Sequence, residues 1–152
     1  MLGRFGESGV DLPPGKGSRQ MKILLAYDGG EPAHRALDLT AEFAKKLDAT
    51  VAVVSVVPVH PGRVPIDPWD DTPVHASQLA EAKQLLLGKG IEPDLIERAG
   101  DPARTIEQMA HDGGYDMVVV GSRHLGSISR VLQGSVSEHV ATHAPATVVV
   151  AR

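Results

Sequence analysis

The residues best placed to do chemistry lie between Met117 and His139, in the stretch MVVVGSRHLGSISRVLQGSVSEH. Gly121, Gly126 and Gly134 punctuate it, and Ser135 or Ser137 is available to cap a helix that has Glu138 in its first turn. A buried strand, a glycine-bearing loop and a helix N-terminus, in that order, present unpaired backbone N–H groups to an anion. Charge points the same way. Between Asp116 and Glu138 there is no acidic residue, while Arg123 and Arg130 are both present. With 19 acidic residues in 152, roughly two or three would fall there by chance. The chemistry implied is the holding of an anion by amides, helix dipole and arginine. A second glycine-bearing turn, Asp28-Gly29-Gly30, ends the apolar run KILLAY. Asp28 either caps that turn or meets a ligand.

Other arrangements of reactive side chains fail on spacing or composition. The chain has no Cys, so disulfides, Cys-ligated zinc and thiol catalysis are excluded. His139 and His143 stand four apart on one expected helix face. They lack the intervening Glu of a zinc-protease helix and a third ligand, so a helix face, solvated or partly buried, accounts for them. The segment GESGVDLPPGKGS invites comparison with a phosphate-binding P-loop, but five residues separate Gly9 from Gly15, and Gly17 stands where Ser or Thr is required. No Ser-His-Asp order, paired carboxylate or nucleophile elbow is present, and no catalytic residue is assigned. His60 and His75 border a proline-rich stretch without a readable role, and Trp69 within it is a lid contact or a packing plug.

The elements that must position these residues follow from periodicity. Lys22 to Tyr27 and Thr50 to Val57 read as buried strands, as does Met117 to Val120, and Ala146 to Ala151 reads as a last, terminal apolar strand. Pro93 to Ala99 is more polar and belongs at a sheet edge. Between the first two strands, Ala33, Ala36, Leu37, Thr40, Ala44 and Leu47 form one apolar helical stripe with Pro32 at its start. A second helix is expected from about Val74 to Leu87, stopped by Gly88 and Gly90. A third follows the cap Asp101-Pro102 and ends at Gly113-Gly114, and a fourth runs to about His143. Five prolines between Pro58 and Pro73 mark a long irregular loop. Strands alternating with helices imply βαβ units and a mainly parallel sheet, with ligands outside the carboxyl ends of the strands where strand order switches.

Composition sets the outer bounds. The length of 152 residues suits one domain, and 42% hydrophobic with 22% charged residues is ordinary for a globular chain. A net charge of −4 and only 3% aromatics argue against nucleic acid as a partner. No run reaches the ~18 apolar residues of a membrane span. Residues 1–20 hold five glycines, two prolines and no apolar signal core. They read as a disordered leader before a domain at 21–152, and the expected location is cytoplasmic.

Over Met21 to Arg152 the chain resembles the universal stress proteins. Nucleotide-binding members carry Gly, two residues, Gly, nine residues, then Gly-Ser or Gly-Thr after the fourth strand. Gly121 fits the first position and Gly134-Ser135 the last, with His124 at the second. AYDGGE, SVVPV and AGDPARTI resemble the family's first strand and its Asp, its second strand end and its third helix start. The resemblance implies a Rossmann-like, doubly wound, five-stranded parallel sheet of order 3-2-1-4-5 with helices on both faces. It implies ATP as ligand, with AMP or ADP as alternatives and Mg²⁺ as a companion that no residue here points to. Asp28 and the backbone of Val56 would hold the adenine and ribose region, with Gly29 in the same turn. Gly121, Arg123, His124, Gly126, Gly134, Ser135 and Val136 would surround ribose and phosphates. It also implies a homodimer through Ala146 to Ala151 and a regulatory role in stress response. The alternatives are a homodimeric interaction protein of this fold without nucleotide, and an ATP-hydrolysing member.

Overall fold

Unbroken runs of valine, isoleucine and leucine fold here as expected, into strands covered on both faces. The structure is a computed structural model that describes residues 19–58, 72–122, 139–140 and 143–152. Five strands form one sheet: β1 (Lys22–Ala26), β2 (Thr50–Pro58), β3 (Asp94–Gly100), β4 (Met117–Gly121) and β5 (Thr147–Ala151). Their order is β3-β2-β1-β4-β5, and every pair is parallel. The helices α1 (Glu31–Leu47), α2 (Thr72–Gly88) and α3 (Pro102–Asp112) connect the first four. This is the expected doubly wound arrangement.

Alternation along the strands divides the core. Ile23, Leu25, Val51, Val53, Met117 and Val119 face one side, packed with Ala36, Leu37 and Ala44 of α1 and Leu79, Ala82 and Leu86 of α2. Leu24, Ala52, Val54, Val118 and Val120 face the other, against Ile106 and Ala110 of α3 and Val140. β3 lies at one edge and is mostly exposed, as its polarity predicts. After β1 the chain builds outward through β2 and β3, then returns to the opposite flank of β1 with β4. That reversal leaves a crevice over the carboxyl ends of β1 and β4.

Local signals fix most boundaries. Asp101 caps α3 by accepting the Arg104 N–H at 2.9 Å. Gly30 caps α1 without a side-chain bond, and Asp48 closes it in the left-handed region at φ 53°. Leu47, expected in the apolar stripe, is 43% exposed because the helix ends there. α2 begins at Thr72, before the expected Val74. Of the fourth helix, His139, Val140 and His143 are helical, and Val140 O accepts from Ala144 N at 2.9 Å. Ahead of β1, Arg19 makes two bonds to the Asp116 carboxylate, at 2.8 and 3.1 Å, and the Lys22 N–H makes a third at 2.9 Å. The Arg19 hydrogen bond, with that backbone N–H, holds Asp116 below the usual carboxylate range. The expectations for residues 1–18, for the loop with His60 and Trp69, and for residues 123–138 lie outside the described residues. Among the described residues no helix is long and apolar enough to cross a membrane.

Candidate functional site

A cavity of about 290 Å³ opens over the carboxyl ends of β1, β2 and β4. Ala26, Val54, Val56 and Val120 supply its apolar lining, and the first turns of α1, α2 and α3 wall it through Ala33, His75 and Pro102. Asp28, Ser55 and His75 are its polar groups beside Tyr27, and Gly121 closes one side. An apolar hollow with few convergent polar groups at the switch of strand order is the usual form of a small-molecule site.

Three of the sequence-assigned residues meet there. Asp28 Oδ1 accepts the Gly30 N–H at 3.0 Å, so the carboxylate shapes the turn while it lines the cavity. Tyr27 N donates to Val54 O at 3.0 Å, across the end of β1. Carbonyls alternate along a strand, so that of Val56 points the same way, past the last residue of β1. An edge of backbone is thereby turned toward the cavity. Gly121 is the third. A Cβ there would stand 2.8 Å from Pro32 C and 3.0 Å from Ala33 N, so the absent side chain admits the start of α1. The close backbone approach expected at this glycine is therefore made by the protein itself, beside the cavity.

Gly29 adopts φ +80° in the turn after β1, with the Gln78 side chain 3.2 Å from where its Cβ would be. It does not line the cavity. Arg123, His124, Gly126, Gly134, Ser135 and Val136 lie outside the described residues. His139 and His143 do share a face, with rings stacked at 4.2 Å. His139 Nε2 is engaged by Glu107 at 2.6 Å and His143 Nδ1 by the His139 carbonyl at 3.0 Å. Among the described residues no group of three or more His, Asp or Glu is placed to hold a metal.

Two polar clusters were not legible as such in the sequence. Ser55, 1% exposed, bonds the Nδ1 of His75. Its one signal is a serine set among the valines of TVAVVSVV; His75 gives none, because its partner lies across the proline-rich stretch. The second cluster is Tyr27, whose hydroxyl donates to Glu81 and meets His34 Nε2 at 3.0 Å. Burial, with the Glu81 bond adding to it, pushes the Tyr27 phenol well above its ordinary value.

An open, doubly wound α/β domain with its cleft at the switch point defines the class. The universal stress protein family model matches residues 21–152, and the chain belongs to that family. Universal stress protein YxiE of Bacillus subtilis is 27% identical over 150 residues, covering 86% of this chain and 98% of its own. A universal stress protein of Archaeoglobus fulgidus, solved in complex with dAMP, superposes with a TM-score of 0.70 at 23% identity, covering 87% and 98%. A family protein of Arabidopsis thaliana with AMP bound gives 0.59 at 22%, covering 86% and 90%. At such identities the two structures speak for the fold.

Proposed function

We propose that this chain binds an adenine nucleotide in the cavity over β1, β2 and β4, as a regulatory protein of the stress response. The observation that carries the reading is the meeting of Asp28, the outward edge of Val56 and Gly121 around one apolar hollow at the switch point. The dAMP and AMP found in family members of the same fold support the ligand class. A volume of about 290 Å³ lies at the lower limit of small-molecule pockets. It suits a nucleoside, whose phosphates would leave past Gly121 toward Arg123, His124, Gly126, Gly134, Ser135 and Val136. ATP is the favoured nucleotide because that segment carries no acidic residue until Glu138.

We further propose a cytoplasmic homodimer joined through Ala146 to Ala151. β5 is the outer strand opposite β3, and its valines 148–150 are only partly buried. An apolar edge of that kind tends to pair with another chain.

Heat-denaturing the purified protein and analysing the released small molecules tests the nucleotide reading. Adenine nucleotide in the supernatant, or saturable binding of added ATP, ADP or AMP, is expected. Absence of both at millimolar nucleotide would leave the interaction protein without ligand as the better description, and steady ATP turnover would favour the hydrolase.

A further inference from the structure

We infer that His75 is a specificity-determining residue of this cavity, held by Ser55 so that its Nε2–H is offered to an acceptor nitrogen of the bound purine. The inference rests on the adenine-nucleotide reading above and adds to it a side chain that reads the base. A hydroxyl buried in a valine strand is costly unless it is bonded. The hydroxyl of Ser55 has one bond among the described residues, to His75 Nδ1.

That single bond favours one tautomer. Serine has one hydrogen to give. Were Nδ1 protonated and donating, the Ser55 hydrogen would be left without an acceptor among the described residues. With Nδ1 bare and accepting, the Ser55 hydrogen is used, and the neutral imidazole carries its own hydrogen on Nε2. His75 lines the cavity, and its Nε2 has no partner among the described residues. A donor thus stands at the wall of a mostly apolar hollow. Adenine answers it with unprotonated ring nitrogens, which accept and do not donate.

Titration calorimetry of the full chain with AMP and with its 1-deaza, 3-deaza and 7-deaza analogues tests this. In each analogue one ring nitrogen is replaced by C–H. At least one analogue should bind the wild type about 3- to 10-fold more weakly than AMP, the value of one hydrogen bond. In His75→Ala that difference should vanish, with AMP itself weakened by a similar factor and the circular dichroism spectrum unchanged. Ser55→Ala keeps the ring but releases its tautomer, and should shrink the penalty without abolishing it; this variant decides the matter if His75→Ala fails to fold. A wild type that binds no AMP defeats the nucleotide reading. A wild type that binds AMP but not more tightly than any analogue, or a penalty that survives in His75→Ala, overturns the role of His75 alone. The Ser55 bond would then be a tether between β2 and α2 and nothing more.

Discussion

Gly121 sits where two stretches of backbone nearly touch, and that contact dictates what the position tolerates. Gly121→Ala would place a methyl 2.8 Å from a carbonyl carbon that cannot rotate away. Overpacking of this order costs about 1–3 kcal/mol, so chemical denaturation should show a lower midpoint with an unchanged slope. An unaltered midpoint would mean that α1 can slide freely on β4. Tyr27 sets a limit at high pH. Its folded value is raised above the ordinary 10.0, so above about pH 10 the unfolded chain releases a proton that the native state keeps. Stability should therefore be level below pH 10 from this group and fall as pH rises beyond it. Tyr115, also raised by burial, adds to the same trend. Tyr27→Phe should cost about 1 kcal/mol at neutral pH and flatten part of the alkaline decline; an identical alkaline slope would show that Tyr27 ionises normally. At the phosphate end, Gly134→Asp brings a carboxylate to the expected anion site. At ~4 Å and an effective dielectric near 20 the repulsion is on the order of 4 kcal/mol per unit charge before screening. Nucleotide binding should disappear with the circular dichroism spectrum intact, and unchanged affinity would put the phosphates elsewhere.

Elements were legible wherever a single local rule governed them. Asp101 ahead of Pro102 reads as a cap and is one. Asp101→Ala should lower stability by about 1 kcal/mol while Asp101→Asn stays near wild type, a pair measurable by thermal melts; equal losses would mean that the bond to Arg104 contributes nothing. The valine runs of β2 and β4 needed no tertiary knowledge, nor did the polar edge of β3. α2 was harder. Leu85 and Leu87 are exposed beside the buried Leu79, Ala82 and Leu86, which blurs the stripe. The site was legible in the same uneven way. Asp28 and Gly121 announce themselves through glycine-bearing strand ends. Val56 was named only through family resemblance, because its contribution is a carbonyl direction that any side chain would allow. Ser55 and His75 meet through the packing of α2 on β2, and no spacing in the chain encodes that.

At the scale of the molecule, the two edges of the sheet are unlike: β3 is polar and β5 is a run of valines ending in Ala151. Sedimentation at micromolar concentration should give a dimer for the wild type and a monomer of native spectrum for Val149→Lys, where the long stem can reach solvent from its partly buried position. A monomeric wild type would remove β5 as an interface. The strand order has a consequence for biosynthesis as well. β1 is made early and occupies the centre, yet one of its two neighbours is β4, and Lys22 waits for Asp116, 94 residues later, to receive its amide hydrogen. At ~5–20 residues per second of translation, the most apolar strand edge of the nascent chain is uncovered for on the order of ten seconds. A ribosome paused before Met117 therefore holds a half-sheet whose open side is an adhesive surface, and chaperone capture during synthesis should fall sharply once β4 has emerged.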